Sequence, residues 1–246
     1  MALSLHFTDF PPIITHRGLS AVAPENTMAA FRAAHQHGFR WIETDVRLSA
    51  DRVPMIFHDA TLERTTDHFG DFSDYPYAEL CNIDAGSWFS ADFQSETIPT
   101  LNQLLDFAVD NKMGINIEIK PNLNEDSLTV DCISQLMLER AKNPEILFSS
   151  FSVESLKHCQ ELLPRLPRAL VVNELDSHTP LEIVQLTESL SCTSLHIHHS
   201  LIYSELIKQC YYSPFDLMCY TVNNLDTAKK CWQAGCASIF SDNGLL

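Results

Sequence analysis

The stretch Trp41-Ile-Glu-Thr-Asp-Val-Arg47, followed after five residues by Val53-Pro-Met-Ile-Phe-His58, decides how this chain folds. Both segments carry the apolar and β-branched residues of strands. Side chains at i and i+2 of a strand share a face, so Glu43 and Asp45 point together, while Ile42, Thr44 and Val46 point the other way. The link Leu48-Ser-Ala-Asp-Arg52 is too short for a helical crossover, and parallel neighbours need a dozen or more connecting residues. Val53–His58 is therefore expected to return antiparallel on Trp41–Arg47.

On either side, strand-like runs alternate with helical patterns. Strands are predicted at Pro12–Thr15, Trp41–Arg47, Val53–His58, Ile115–Lys120, Ile146–Ser150, Ala169–Val172, Ser194–His198, Leu217–Val222 and Ala237–Ser241. Helices are predicted at Thr27–His37, Leu101–Asn111, Asp126–Lys142, Val153–Leu162, Leu181–Ser189, Ser204–Cys210 and Leu225–Ala234. Asn26 is a candidate N-cap for the first helix, and Gly38 follows it at C′. Strands joined by helical crossovers make a parallel sheet with helices outside. With the hairpin strand set aside, eight strands remain, which predicts an α/β (β/α)8 TIM-type barrel. No G-x-G-x-x-G follows the first strand to favour an open doubly wound sheet. One domain over residues 1–246 is expected, with an irregular insertion after the second strand at about 60–97.

Composition agrees with that size: 246 residues, 45% of them hydrophobic, are enough for one large core. Sixteen Lys and Arg against 32 Asp and Glu give a formal charge of −16. Such a surface repels nucleic acid and anionic membranes, so neither nucleic-acid binding nor stable membrane association is expected. It would also repel a phosphate ester, so a phosphate site here needs local cations. Met1-Ala-Leu-Ser-Leu-His6 lacks the charged and apolar regions of a secretory signal, and a cytoplasmic location is expected. The eight cysteines form no C-x-x-C pair, which argues against a zinc site or a disulfide framework and for reduced, mostly buried thiols.

Barrel enzymes carry their chemistry at the C-terminal ends of strands. His16-Arg17-Gly18 follows the first strand, His58 closes the hairpin strand, and Glu118 and Lys120 share a face of Ile115–Lys120. Unpaired inward carboxylates are costly, and Glu43, Asp45 and Glu118 offer the oxygen donors that suit Mg2+ or Ca2+. Either same-face pair, taken alone, reads equally well as part of an ion pair. Of the 11 histidines, His35, His37, His68, His158 and His178 suit surface or packing positions. His196, His198 and His199 cluster near a strand end, where core packing and a solvated loop are the simpler reading. No G-x-S-x-G elbow supports a serine nucleophile.

One ordered set of motifs runs through these positions. His16-Arg17-Gly18 precedes Pro24-Glu25-Asn26-Thr27 and Ala30-Phe31; Glu43-Thr44-Asp45-Val46 precedes His58-Asp59 and Leu62-Glu63-Arg64-Thr65-Thr66; Ile98-Pro99-Thr100-Leu101 and Glu118-Ile119-Lys120 follow. The set resembles the signature of the glycerophosphodiester phosphodiesterases, and past residue 120 it thins to Tyr220-Thr-Val-Asn223 and Phe240-Ser-Asp242. The resemblance implies a metal-dependent barrel that hydrolyses glycerophosphodiesters, such as glycerophosphocholine or glycerophosphoethanolamine, to sn-glycerol 3-phosphate and an alcohol. It implies Glu43, Asp45 and Glu118 as metal ligands, His16 and His58 as general acid and base, and Arg17 and Lys120 as phosphate-contacting cations. With the metal, those two cations would make the pocket locally positive. It further implies that the nucleophile is the substrate's own glycerol hydroxyl, giving a cyclic phosphate that water opens.

Two departures stand out. Tyr220 occupies the place of the family's usual Trp, and Ser241-Asp242-Asn243-Gly244 replaces its usual Thr-Asp-x-Pro. Together with Trp88 and Phe89 of the insertion, Tyr220 is a candidate for the pocket wall that meets the substrate. These departures motivate an alternative, a lysophospholipase D-like or cyclising phosphodiesterase on the same scaffold. A non-catalytic phosphate-ester-binding barrel is a further alternative, although such a protein has no physical need to keep two histidines, three carboxylates and two cations together.

Overall fold

The computed structural model describes residues 10–175 and 178–246. The N-terminal hexapeptide read above for a secretory signal lies outside the described residues. Chain order is β1 (Ile13–Thr15), α1 (Met28–Gln36), β2 (Trp41–Leu48), β3 (Pro54–Ile56), then a short α2 (Tyr77–Leu80) within the insertion, α3 (Leu101–Asn111) and β4 (Gly114–Ile119). There follow α4 (Asp126–Glu139), β5 (Ile146–Ser150), α5 (Val153–Leu162), β6 (Arg168–Val172), α6 (Pro180–Ser189), β7 (Ser194–His198), α7 (Glu205–Cys210), β8 (Asp216–Tyr220), α8 (Leu225–Gln233) and β9 (Ser238–Ser241).

Eight parallel strands close on themselves in the order β1-β9-β8-β7-β6-β5-β4-β2, with β1 pairing β2 through Thr15 and Ile42. β3 is the antiparallel hairpin partner, opposing Val46–Leu48 with Pro54–Ile56. β1 thus takes the lower part of the β2 edge and β3 the upper part. The expected barrel is present, and the hairpin explains the ninth strand.

Alternation along each strand sorts the core into two shells. Outward Ile42, Val46, Ile117 and Ile119 pack beneath the helices with Phe31, Leu104 and Ile133. Inward Ile14, Trp41, Leu147, Ala169, Met218 and Phe240 fill the floor of the barrel. At about 25 cal/mol per Å2 of apolar surface, these two shells supply most of the drive to close the sheet. Residues 57–98 form a compact lobe around Phe57, Leu62, Phe72, Leu80, Ile83 and Ile98. The expected insertion therefore has short helices and a small core of its own.

Two helix ends differ from expectation. The N-cap of α1 is Thr27, whose side chain accepts from the Ala30 amide. Asn26 instead adopts the left-handed conformation (φ 57°), which Asn tolerates. Its amide then donates to Asp45 Oδ2 at 2.9 Å and accepts from Thr44 Oγ1 at 2.9 Å, tying the loop to β2. α4 stops at Glu139, before the expected Lys142, because Arg140 turns extended and its guanidinium bonds Asn102 and Asp106 of α3. Gly38 follows the end of α1 with φ +87°, as its C′ assignment requires. The eight cysteines are all free, six of them buried.

Candidate active site

The C-terminal ends of β1, β2 and β4 bring the predicted groups together. Strand register sets Asp45 beside Glu118 and Glu43 beside Asn116 on neighbouring strands. One oxygen from each of Glu43, Asp45 and Glu118 lies within 4.8 Å of the others. Glu43 and Asp45 are 3% and 1% exposed, so water does little to screen their repulsion.

Arg17 follows β1 in a left-handed turn, φ 55°, and Gly18 continues it at φ +78°. This turn aims the Arg17 amide at Glu43 Oε2 (2.9 Å) and its guanidinium at Glu25 (2.7 Å) and Asp45 (3.3 Å). Lys120 closes the other side, 2.5 Å from Glu118 and 3.5 Å from Asp45, with its ammonium 5.3 Å above the Phe151 ring.

Both histidines stand on the rim with Nδ1 held by a carboxylate. Asp242 Oδ1 lies 2.7 Å from His16 Nδ1, and Asp59 Oδ1 lies 2.5 Å from His58 Nδ1. Each pairing fixes the ring and leaves Nε2 for the site; His16 Nε2 is 3.9 Å from Glu43. Asp59 is itself gripped by Arg64, which also binds Glu25, so the insertion and the β1 loop share one ionic chain. Asn223 holds Asp242 on both sides, donating to Oδ2 at 2.6 Å and accepting from its backbone amide at 2.8 Å.

These neighbours set the protonation states. Burial, reinforced by Asp45 and Glu118, pushes the Glu43 carboxyl up to about 8. Burial acts on Asp45 in the same sense, but Arg17 and Lys120 outweigh it and hold that carboxyl well below the usual range. At His16 burial disfavours the imidazolium, yet Glu43 and Asp242 prevail and raise the pKa. His58 moves the opposite way, lowered by burial together with Arg17 and Lys120.

The linked groups comprise six carboxylates (Glu25, Glu43, Asp45, Asp59, Glu118 and Asp242) and four cations (Arg17, Arg47, Arg64 and Lys120). Arg17 and Lys120 are engaged by carboxylates, so a locally positive pocket needs the metal's charge beside them. Glu43 Oε1 is moreover buried without a hydrogen-bond partner, an arrangement that is expensive unless something binds it. An all-oxygen donor set and an orphaned carboxylate oxygen together fit a hard divalent metal.

The remaining candidates divide. Tyr220 lines a small chamber with His16, Glu43, Asn116, Glu118 and His196, and its hydroxyl is buried without a partner. Trp88 and Phe89 find their described contacts inside the insertion: the indole donates to the Ala85 carbonyl and Phe89 meets Phe93. His196 is buried against Phe240 and bonds Ser194, so the core-packing reading holds for it. His198 bonds Ser200 on the exposed loop beyond β7.

Four groups escaped the sequence reading of roles. Asp59 adjoins His58, and Glu25 follows Arg17 by eight residues, so both were within local reach. Asp242 and Asn223 come from the far end of the chain, and only closure of β9 on β1 brings them to His16.

This is a (β/α)8-barrel enzyme with its polar groups gathered at the strand C-termini. Residues 16–245 match the glycerophosphoryl diester phosphodiesterase family. A glycerophosphodiester phosphodiesterase of Caldanaerobacter subterraneus is 30% identical over 231 residues, covering 94% of this chain and 93% of the relative. Among solved structures, a phosphodiesterase of Oleispira antarctica in complex with the product sn-glycerol-3-phosphate superposes with a TM-score of 0.91 at 34% identity, covering 97% of this chain and 96% of that one. A glycerophosphodiester phosphodiesterase of Agrobacterium tumefaciens gives 0.77 at 26% identity, with 96% and 98% covered. The chain belongs to the glycerophosphoryl diester phosphodiesterase family.

Proposed function

We propose that the protein hydrolyses glycerophosphodiesters to sn-glycerol 3-phosphate and an alcohol, with Glu43, Asp45 and Glu118 holding Mg2+ or Ca2+ and His16 and His58 moving the protons. The observation that carries this reading is the pair of Asp-anchored imidazoles standing beside a buried carboxylate trio. The product-bound Oleispira relative supports the choice of substrate.

A divalent ion held by the three carboxylates would polarise a phosphoryl oxygen and acidify a bound hydroxyl. Once that charge satisfies the carboxylates, Arg17 can turn its planar fork towards two phosphate oxygens, while Lys120 adds a point charge. His16 and His58 then divide the proton work: one takes the proton of the attacking hydroxyl at Nε2, the other gives a proton to the leaving oxygen. Such transfers are worth about 10²–10⁴-fold each. Asp242 and Asp59 fix the tautomers that this requires, because Nδ1–H must face the carboxylate for Nε2 to accept.

The test is a panel of glycerophosphodiesters assayed with wild type, His16→Ala and His58→Ala. Wild type should release glycerol 3-phosphate, and each variant should lose at least about tenfold of its turnover. No turnover of any member by wild type would reject the substrate class; unchanged variants would reject the acid/base assignment.

A further inference from the structure

At the opposite end of the barrel, Arg40, Trp41, Lys112, Met113, Gly114, Lys142, Asn143, Pro144 and Glu145 border a cavity of about 480 Å3, larger than the 390 Å3 cleft beside His16. Seven of the chain's 16 cations sit in ion pairs among the described residues. Arg40, Lys112 and Lys142 are not among them, though acids outnumber cations two to one. Three unpaired cations around one cavity, against the single carboxylate of Glu145, make a local positive spot on a strongly negative molecule.

The other walls narrow the chemistry. Asn143 donates its amide N–H to the Met137 carbonyl at 2.9 Å, which fixes the side chain, while its Oδ1 is buried without a partner. The Glu145 carboxylate, at the cavity's border, asks for a donor. Trp41, only 5% exposed, supplies an apolar floor. Its ring packs against Gly114, where a Cβ would come within 2.2 Å of it. A ligand suited to these walls carries a dianion for the three cations and hydroxyls for the Glu145 carboxylate. The volume falls within the range of small-ligand sites, about 300–1,000 Å3.

We propose that this cavity is a second ligand site, separate from the catalytic one, that binds a hydroxylated phosphomonoester. The diesterase reaction proposed above would release a member of this class, but the site stands on its own observations. It shares β2 and β4 with the carboxylates: Trp41 lies two residues below Glu43 on the same face, and Gly114 lies two below Asn116.

The experiment uses the full chain with Lys120→Met, which weakens phosphate binding at the catalytic end. Glycerol 3-phosphate, glucose 6-phosphate and inorganic phosphate are titrated by calorimetry into this protein and into Lys120→Met with Arg40→Glu and Lys142→Glu added. The two esters should bind the first protein, and the charge reversals should weaken them at least about tenfold. Inorganic phosphate, lacking carbon-bound hydroxyls, should bind more weakly than either ester. Arg40→Glu/Lys142→Glu in the otherwise wild-type enzyme should keep its circular dichroism spectrum and its diesterase turnover within about twofold, since neither residue touches the catalytic groups. Equal ester binding with and without the charge reversals overturns the site, and phosphate binding as tightly as the esters overturns the ligand class. Loss of diesterase turnover in the wild-type chain would count against the proposed reaction alone.

Discussion

His16 Nδ1 and Asp242 Oδ1 lie 2.7 Å apart although 226 residues separate them, because closure of β9 on β1 sets the two strand ends side by side. Ser20 donates to the same Asp242 oxygen at 3.1 Å, and Asn223 takes the other, so the carboxylate has little freedom to turn away. Asp242 therefore acts on His16 as an orienting group. Asp242→Asn, which offers an amide where a carboxylate is needed, should lower kcat by at least about tenfold and move KM far less. Steady-state kinetics on a glycerophosphodiester would check this; equal kcat in both proteins would show that the ring needs no such anchor.

Gly18 tests the link between backbone and site. Its φ is +78°, and a Cβ there would come within 2.7 Å of Ala30 in α1. Gly18→Ala should push the loop off α1 and carry the Arg17 amide away from Glu43. An unfolding free energy lower by about 1–3 kcal/mol is expected, with a loss of kcat/KM in the fraction that folds. Urea titration beside kinetics would measure both.

Metal binding should show as stability. A ligand that binds only the folded state at a hundred times its Kd adds about 2.7 kcal/mol. Chelated wild type should gain thermal stability when Mg2+ or Ca2+ is added, and Glu43→Gln should lose most of that gain. Its own metal-free form should be no less stable than wild type, since it removes one of three crowded buried carboxylates. A Glu43→Gln shift as large as that of wild type would place the ion elsewhere.

His196 makes a prediction about pH. Burial lowers its pKa to about 3, so the folded protein keeps it neutral where the unfolded chain, with an ordinary pKa near 6.5, takes up a proton. No penalty exists above about pH 6.5. Stability is lost as pH falls from there towards 3, because the unfolded state binds more protons, with a slope approaching about 1.4 kcal/mol per unit from this group. His196→Gln should remove that part of the slope between pH 6 and 4, whatever it does to stability at pH 7. Parallel denaturation curves at several pH values would show it.

The sequence made the barrel legible because alternation and connection length are local. The five residues between Trp41–Arg47 and Val53–His58 sufficed to predict a hairpin, and Pro54–Ile56 pairs antiparallel to β2. The carboxylate trio was legible for the same reason, since two i, i+2 pairs on neighbouring strands must share the barrel interior. Asn26 was misread as a cap because its true partners, Thr44 and Asp45, lie on a strand formed later in the chain. The ion pairing was legible only in part: Glu118 and Lys120 share a strand face and already read as a possible ion pair, whereas the grip of Arg17 on Glu25 and Asp45 needs the loop after β1 folded over β2. Helix α4 was overextended since nothing local shows Arg140 reaching back to α3.

The most direct test is release of glycerol 3-phosphate from glycerophosphocholine, followed by phosphorus NMR in metal-stripped and metal-restored enzyme. No product is expected after chelation, full recovery with Mg2+ or Ca2+, and no recovery when Glu43 and Asp45 are replaced by Gln and Asn. Undiminished release from the chelated enzyme, or from the doubly substituted one, would contradict the metal-dependent reaction proposed above.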